Sequence, residues 1–307
     1  MSSKRFRLRL PATSANLGSG FDAAAIALNF YLDIEAQPAG AFSIHATGRD
    51  AERCAELDDN LILNVYRSTL AAQNKPVTPL ALRMVNDIPL GMGCGSSAAG
   101  RLAAIALANH FGGLSWSAQR TLEEASALEG HPDNVAACWL GGFVTTACEG
   151  RSVHVAQVTP PALWRAIIAL PEAPLATSKA RAVLPDTYAR ADVVANLQSV
   201  SLLASAFAQA RSDLLRVAMS DRIHQPYRAP FCALLGRLLP LAEGKDILGV
   251  SLSGAGPAVL LVIAGETSLA PALRRIRAAI DAPPTTELRV CSFEALGAAS
   301  SLAGNCS

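Results

Sequence analysis

Apolar and polar positions alternate as in β-strands in the first part of the chain, and they take a helical spacing after residue 95. Strands are predicted at residues 5–10, 28–36 and 80–85, where apolar side chains recur at every second position or form short runs. Helices are predicted at residues 96–111 and 117–128, with Gly112-Gly113 as a C-cap and Ser117 as an N-cap. The first half therefore combines strands with helices.

A hairpin and then a break follow. Residues 142–148 and 152–158 flank Glu149-Gly150, a typical hairpin turn. The Pro160-Pro161 pair interrupts the pattern, so we predict an N-terminal domain over 1–158 and a C-terminal domain over 159–307. Beyond the break the pattern predicts strands at 166–170, 247–252, 258–263 and 287–291, and helices at 188–211, 212–220, 231–241 and 270–280.

Composition narrows the class of protein. The 307 residues suit two domains, and a net charge of +1 gives no reason to expect a nucleic-acid or anionic-membrane partner. No apolar run is expected to span a membrane, and the basic start MSSKRFRLRLPATS lacks the apolar segment of a signal peptide. The seven cysteines are odd in number and contain no CxxC pair, which fits a reducing cytosol and disfavours zinc. We expect a cytoplasmic protein.

PLGMGCGSSAAG, residues 89–100, is the strongest local motif. It is either a tight turn capped by serine or a phosphate cradle, in which glycine amides and a helix N-terminus bind the anion. It lacks the lysine of a P-loop, so a P-loop NTPase is a poor match. Ser97 lies where a hydroxyl could reach a magnesium ion, and Glu123 or Glu124 could add a carboxylate. The alternative for both glutamates is a solvated helix face.

Four further stretches carry candidate chemistry and also have plain structural explanations. EGHPDN, residues 129–134, contains His131 and Asn134 but also suits a helix end followed by a new cap. PATSANLGSGFD, residues 11–22, offers Asn16 and Asp22 in what could be a simple turn. Arg181 and Arg228 could lie on solvated faces. SLSGAGPAV, residues 251–259, is a second glycine loop that a hairpin explains equally well.

Together and in this order, the motifs resemble those of the homoserine kinases, members of the superfamily of galactokinase, homoserine kinase, mevalonate kinase and phosphomevalonate kinase (GHMP kinases). PATSANLGSGFD, PLGMGCGSSAAG and SLSGAGPAV resemble the three superfamily motifs. EGHPDNVA followed by LGGF, with SKARAVLP and IHQPYR downstream, is similar to homoserine kinase in particular. The resemblance covers about residues 11–263. Cys94 replaces the usual leucine of the phosphate loop.

The resemblance implies an α+β fold with two domains, an N-terminal domain like ribosomal protein S5 and a C-terminal ferredoxin-like domain, with the nucleotide between them. It implies ATP-dependent phosphorylation of the side-chain hydroxyl of L-homoserine, in threonine biosynthesis, with Mg²⁺. Ser97 and Glu123 would bind the magnesium ion. Asn60 would contact adenine, and the rest of the nucleotide would lie against Pro89, Leu90, Gly91, Met92, Gly93, Cys94, Gly95, Ser96, Ser97, Ala98 and Ala99.

The remaining candidates suit a zwitterionic substrate. Arg181 and Arg228 would bind its carboxylate, since guanidinium groups bind planar anions bidentately. Asn16 and Asp22 would accept hydrogen bonds from its ammonium group. Asn134 and His131 would orient the hydroxyl, with Asn134 counted among the catalytic residues beside Ser97 and Glu123. No general base is evident, so Asp22 is assigned to binding.

Other functions remain open at this level. A sister kinase such as mevalonate kinase would share the glycine loops, although mevalonate has no ammonium group for Asp22. A non-catalytic ligand sensor of the same fold would have less need of Ser97 and Glu123. A Rossmann-type dinucleotide binder is excluded, because the required acidic residue does not follow the loop. The expected partners are homoserine and ATP, without nucleic acid or membrane, and a homodimer is compatible with the sequence.

Two effects on Cys94 oppose each other. The positive end of the following helix favours its thiolate, which predicts a reactive cysteine that MgATP protects. Burial at a position that is usually leucine would instead raise the thiol pKa and hide the sulfur.

Overall fold

The fold divides into two sheets with their helices. The computed structural model describes residues 5–280 and 286–303. The start of the basic N-terminal segment, residues 1–4, and Cys306 lie outside this range. The strands of the first sheet are β1 (Phe6–Asn16), β2 (Gly20–Pro38), β3 (Ser43–Gly48), β4 (Leu80–Asn86), β5 (Phe143–Glu149) and β6 (Ser152–Val158). Their order is β3-β4-β2-β5-β6, and β1 pairs with β2.

Five helices pack with this first sheet. They are α1 (Ala51–Ala55), α2 (Leu61–Ala72), α3 (Ser96–Gly112), α4 (Ala118–Glu129) and α5 (Asp133–Leu140). Helix α3 is the central one, and its alanine-rich stretch from Ala98 to Ala108 is almost wholly buried. Small side chains let neighbouring helices approach closely, and α3 packs against β1, α2, α4 and α5.

The second sheet contains β7 (Arg165–Leu170), β8 (Ile247–Leu252), β9 (Val259–Ile263) and β10 (Glu287–Ser292), in the order β10-β7-β9-β8. All neighbours are antiparallel. The remaining helices of the described residues are α6 (Thr177–Ala182), α7 (Arg190–Ala208), α8 (Leu215–Ala218), α9 (Gln225–Arg228), α10 (Ala233–Leu238), α11 (Glu266–Ile280) and α12 (Ala298–Ala303), with short 3-10 turns at Ser212–Leu214, Ala229–Phe231 and Leu239–Glu243.

The end of the described chain returns to the first sheet. Phe293 forms a bridge with Leu28, and the amide of Glu294 donates to the Ala27 carbonyl at 2.9 Å. The Gly142 amide donates to the Glu294 carbonyl at 2.7 Å, and α12 packs on β1 and α5. The two sheets part between β6 and β7, near the predicted division at residue 158, but residues 293–303 complete the first unit. The domain division itself stays a prediction.

Most of the predicted elements are present, with shifted bounds. The predicted strand 5–10 runs on to Asn16, because Thr13, Ser14 and Asn16 are buried in it despite their polarity. The pattern missed β3, α1, α2, α5, α6, α9 and α12. The predicted helix 212–220 is a 3-10 turn followed by the single turn of α8.

Helix α7 corrects one expectation. Its 19 residues are long and apolar enough to cross a membrane, judged by length and composition alone, whereas the sequence was expected to hold no such run. One side of α7 nevertheless belongs to the core: Leu203 and Phe207 are buried, and the Phe207 ring stacks on Phe143 with ring centroids 4.1 Å apart. This packing gives α7 a place within the fold.

Candidate active site

A cavity of about 580 Å³ lies between the two sheets and their helices. Its lining includes the apolar side chains of Leu32, Ile62 and Met84 and charged side chains from both halves of the chain, such as Asp22 and Glu129 from the first and Arg181 from the second. Residues of the glycine loop also line it. Such a lining suits a ligand that has both apolar and charged parts.

The glycine loop leads directly into α3. Gly91, Gly93 and Gly95 all have positive φ, at 70°, 80° and 75°. The helix begins at Ser96 without a side-chain cap, so its first amides are open to a ligand at the helix N-terminus. The loop residues that line the cavity are Leu90, Gly91, Gly93, Gly95, Ser96, Ser97 and Ala99. This is the arrangement expected of a phosphate cradle, and it needs no lysine.

Close packing explains why glycine occupies two of these positions. A Cβ on Gly95 would lie 1.9 Å from the Thr13 hydroxyl oxygen, and one on Gly93 would lie 2.1 Å from the Ser253 carbonyl oxygen. The four remaining predicted nucleotide residues, Pro89, Met92, Cys94 and Ala98, are not among the described residues that line the cavity. Any contribution of these four residues to nucleotide binding would therefore come from their backbone atoms or from packing that supports the loop.

The second glycine loop supports the first. It connects β8 and β9 as the antiparallel hairpin that was one of its two explanations. It also packs on the phosphate loop: the Ser253 hydroxyl donates to the Gly93 carbonyl at 2.8 Å, and the Ala258 amide donates to the Met92 carbonyl at 3.3 Å. The hairpin explanation of SLSGAGPAV is therefore correct, and these contacts make the turn a support of the first glycine loop.

Burial decides the state of Cys94. Its side chain is buried, and this burial raises the pKa of the thiol to about 12. The Cys94 carbonyl accepts from the Thr13 amide at 3.1 Å, so the residue contributes through its backbone. The expectation of a reactive thiolate is wrong, and the leucine-like alternative is correct.

Ser97 and Glu129 form the carboxylate–hydroxyl pair beside the cradle. The Ser97 hydroxyl donates to Glu129 Oε2 at 3.1 Å, and the Glu129 side chain is 9% exposed. Arg101, one helical turn after Ser97, contacts both of these oxygen-bearing groups. A buried carboxylate next to a hydroxyl at a phosphate loop offers the oxygen ligands that Mg²⁺ prefers. The residues therefore fit a magnesium ion.

Glu123 does not lie at this site. Its carboxylate accepts from the side-chain amide of Gln119 at 2.9 Å, and the same amide donates to the Val153 carbonyl of β6. Glu124 is paired with Arg120 and Arg151, again outside the cavity. Six residues separate Glu123 from Glu129, which is about one and two-thirds helical turns, so the two point in different directions. The predicted magnesium ligand Glu123 therefore lies away from Ser97, and the carboxylate that contacts Ser97 is that of Glu129, the last residue of α4.

A bidentate ion pair between Asp22 and Arg181 lines the cavity. The Arg181 guanidinium donates to both oxygens of Asp22, at 3.0 and 2.6 Å. Burial lowers the pKa of Arg181, but the hydrogen bond and charge of Asp22 outweigh it and raise the pKa above its usual value. The two residues that were predicted to bind opposite ends of a zwitterion thus bind each other in this structure.

Arg228 is fully buried beside this pair. Its Nε donates to the Ala180 carbonyl at 3.0 Å, and its guanidinium lies 3.1 Å from His224 Nδ1. Burial lowers its pKa, and the neighbouring Arg181 charge lowers it further. The Phe21 ring faces both guanidinium groups, at 5.6 Å from Arg181 and 5.2 Å from Arg228. Phe21 therefore offsets part of the repulsion between two neighbouring cations.

EGHPDN supplies a hydrogen-bonded group of side chains to the wall of the cavity. His131 Nδ1 lies 2.6 Å from Asp133 Oδ1, and the Thr13 hydroxyl donates to Asn134 Oδ1 at 2.6 Å. Burial lowers the pKa of His131, but its bond to Asp133 outweighs burial and raises the pKa above its usual value. His131, Asp133 and Asn134 all line the cavity, and the segment also ends α4 and begins α5. The structural explanation of EGHPDN is therefore correct, and its role in binding stays a prediction.

Two predicted ligands have structural duties as well. Asn16 lines the cavity, but its amide donates to the Gly254 carbonyl at 2.8 Å and its oxygen accepts from the Asp22 amide at 3.0 Å. Asn60 also lines the cavity, and its side-chain oxygen caps α2 by accepting from the amides of Ile62 and Leu63. Each of these side chains fixes local backbone at the cavity wall.

Five residues at or beside the cavity were missed: Thr13, Phe21, Arg101, Glu129 and Asp133. Four of them lie inside the motifs already singled out, so their motif membership was an available signal. Arg101 lies in the helix that follows the glycine loop, and its spacing of four residues from Ser97 was the available signal.

Comparisons with known proteins agree with this geometry. Residues 60–142 match the family described as GHMP kinases N terminal domain, and residues 203–282 match GHMP kinases C terminal. A homoserine kinase of Solibacter usitatus is 42% identical over 261 residues, which is 85% of this chain and 86% of that protein. A homoserine kinase of Deinococcus radiodurans is 39% identical over 258 residues, 83% of each.

A solved structure shows the same fold. The crystal structure of homoserine kinase from Cytophaga hutchinsonii matches with a TM-score of 0.82 over 97% of both chains, at 23% identity. The predicted two-domain GHMP kinase fold is confirmed. The glycine loop at the N-terminus of α3 and the neighbouring Asp22–Arg181 pair line one cavity. Since curated homoserine kinases match most of its length, the chain belongs to the homoserine kinase family of the GHMP kinases.

Proposed function

We propose that the protein transfers the γ-phosphoryl group of ATP to the side-chain hydroxyl of L-homoserine, giving ADP and O-phospho-L-homoserine, a step of threonine biosynthesis. One observation carries this proposal: the Asp22–Arg181 pair and Arg228 line the same cavity as the phosphate cradle. The group formed by Asp22, Arg181 and Arg228 offers two guanidinium groups and one carboxylate, which makes it complementary to a small zwitterion. The curated relatives that bear the name homoserine kinase support the choice of substrate.

Substrate binding would exchange one ion pair for two. The α-carboxylate would take the place of the Asp22 carboxylate on Arg181, next to Arg228, and Asp22 would turn to the ammonium group. Asp22 and Arg181 therefore each keep an opposite charge beside them when the substrate binds. Neither group is left buried without a partner, so neither pays an extra desolvation penalty. A ligand that has only one of the two charges would leave either Asp22 or Arg181 unpaired, which is costly in a partly buried site.

The phosphoryl transfer depends on positioning and charge. The hydroxyl oxygen forms a bond to the γ-phosphorus, the bond from that phosphorus to the β–γ bridging oxygen breaks, and the hydroxyl proton leaves to phosphate oxygens or water. Backbone amides of the cradle bind the phosphates, and Asn134, held by Thr13, orients the hydroxyl. The raised pKa of His131 favours its protonated, donating form, which suits binding more than proton removal.

The proposed function also includes a magnesium ion, for which the structure offers two ligands. Ser97 and Glu129 would hold it, and it would neutralise charge on the phosphates. The apolar side chains of Leu32, Ile62 and Met84, which line the cavity, would pack against the adenine. We place the enzyme in the cytosol, and all six cysteines of the described residues are free, which is compatible with a reducing compartment.

The direct experiment is a coupled ADP-release assay with homoserine, serine, threonine and mevalonate as acceptors. Homoserine is expected to have the highest kcat/KM by at least about tenfold, because it alone combines both α-groups with a hydroxyl at the right distance. Turnover of mevalonate without turnover of homoserine would place the protein elsewhere in the superfamily. Binding of ligands without ADP release would make it a sensor.

Replacing Arg181 tests the substrate pocket. Arg181→Ala should raise the KM for homoserine about 10- to 100-fold, since it removes a charge-assisted pair worth about 1.5–3 kcal/mol. The KM for ATP should change by less than about twofold. Arg222→Ala is the matched control, because Arg222 pairs with Asp192 on the surface and does not line the cavity. An equal loss for both substrates would show that Arg181 does not bind homoserine specifically.

A further inference from the structure

Arg101 occupies an unusual position for an arginine. It lies four residues after Ser97 on α3, and one terminal nitrogen contacts both the Ser97 hydroxyl and Glu129 Oε2. These are the two groups to which the proposed function assigns the magnesium ion. The Arg101 side chain is 23% exposed and the Glu129 side chain 9% exposed, so the pair is only partly screened by water.

The charge of Glu129 is therefore already compensated. The guanidinium of Arg101 donates hydrogen bonds without accepting any, so it pairs with both oxygen-bearing groups. The other cationic candidate near this carboxylate is His131, whose Nε2 lies 3.9 Å from Glu129 Oε1. A divalent cation that approached Ser97 and Glu129 would meet a fixed positive charge on the same oxygens.

We propose that Arg101 is a positioning residue that keeps the Ser97–Glu129 site closed to free divalent cations and makes ion binding depend on a polyphosphate. This inference rests on the proposed function for the identity of the ion ligands. Two like charges a few ångströms apart repel strongly at the low effective dielectric of a partly buried site. The phosphates of a nucleotide in the adjacent cradle bring negative charge that offsets this repulsion, so the ion and the nucleotide bind together.

A purely structural role for Arg101 predicts the opposite change in ion affinity when Arg101 is replaced. If Arg101 only held Glu129 in place, its removal would leave the carboxylate disordered, and ion affinity would fall. If Arg101 competes with the ion, its removal uncovers a carboxylate and a hydroxyl, and ion affinity in the absence of nucleotide rises. Direct binding of an ion to the protein alone separates the two.

The experiment uses Mn²⁺, an oxygen-binding ion whose free and bound forms differ in electron paramagnetic resonance. Arg101→Met removes the charge at similar length, and Arg101→Gln removes the charge but keeps a donor for Glu129 in case the first variant does not fold. Arg120→Met is the matched control, because Arg120 forms a comparable pair with Glu124 outside the cavity. All proteins are titrated with Mn²⁺ in the absence of nucleotide.

Both Arg101 variants are expected to bind Mn²⁺ about tenfold more tightly than the parent, and Arg120→Met is expected to match the parent. Adding Glu129→Gln to Arg101→Gln should abolish the gain, and saturating ADP should narrow it to about twofold or less. Unchanged or weaker Mn²⁺ binding in both Arg101 variants, or a gain that persists in full with ADP, would overturn the proposal. The readout does not involve homoserine, so the proposed function can fail in its own assay while this result stands.

Discussion

Cys94 shows how burial of one side chain overrides a helix dipole. The dipole favours an anion by about 0.3–1 kcal/mol, whereas burial raises the thiol pKa to about 12. Brief alkylation is therefore expected to leave Cys94 unmodified with or without MgATP and to label Cys148, the exposed cysteine of the described residues. Peptide mass spectrometry locates the label, and Cys148→Ser should remove it. Labelling of Cys94 in the nucleotide-free protein would contradict the buried thiol.

Glu129 and Glu123 provide a matched pair of glutamates on one helix. Glu129→Gln should lower kcat by about 100-fold or more and raise the magnesium concentration needed for half-maximal rate, because it removes a charged ion ligand. Glu123→Gln should leave both quantities within about twofold, since Glu123 contacts Gln119 away from the cavity. Steady-state rates across a magnesium titration measure the two effects. A sensitive Glu123 together with a silent Glu129 would contradict the proposed ion site.

At the scale of elements, the cradle depends on the contact between the glycine loop and the β8–β9 hairpin. Gly93→Ala introduces a Cβ 2.1 Å from the Ser253 carbonyl at a φ of 80°, so both strain and a clash are expected. Unfolding free energy should fall by about 2–4 kcal/mol, with weaker ADP binding. Denaturant unfolding and ADP titration measure these losses.

Gly113→Ala is the control for that substitution. Gly113 caps α3 at a φ of 59°, and a Cβ there meets nothing within 4 Å. It therefore tests backbone strain alone, expected to cost about 1 kcal/mol, with unchanged ADP binding. Equal losses in the two variants would show that the hairpin contact contributes nothing to the cradle.

The elements also show what the sequence could predict. Helix α2 had a readable signal, with Asn60 as its cap and Ile62, Tyr66 and Leu70 on one face, and it was overlooked. Helix α5 had no such signal. Its residues from Asp133 to Trp139 are buried, so no polar face alternates with an apolar one at helical spacing. Glu129 could not be chosen over Glu123 from local pattern, since that choice depends on where the end of α4 meets Ser97.

Across the whole molecule, Arg289 of β10 pairs with Asp87, which follows β4, and so joins the two sheets. Its hydrogen bond lowers the pKa of Asp87 below the usual 3.8. A lowered folded-state pKa stabilises the protein above the unfolded-state pKa, and this stability is lost as pH falls through the folded-state value. Asp87→Asn should therefore cost up to about 1 kcal/mol at pH 7, a small figure because the carboxylate is half exposed.

The difference between Asp87→Asn and the parent should shrink as pH falls below about 4, where the unfolded carboxyl group is protonated. Urea unfolding of both proteins at neutral pH and at two acidic values measures it. A difference that grows towards acid pH would show that Asp87 is stabilised in its protonated form, contrary to the observed pairing with Arg289.

The return of residues 293–303 to the first sheet has a consequence for synthesis. During translation the first sheet and α5 leave the ribosome well over a hundred residues before Glu294, whose backbone joins Ala27 to Gly142, and before α12, which covers β1. The first sheet and α5 therefore expose to solvent the surface that residues 293–303 later cover, until those residues have been synthesised. A premature stop codon that removed only these final residues would damage the half of the protein that was made first.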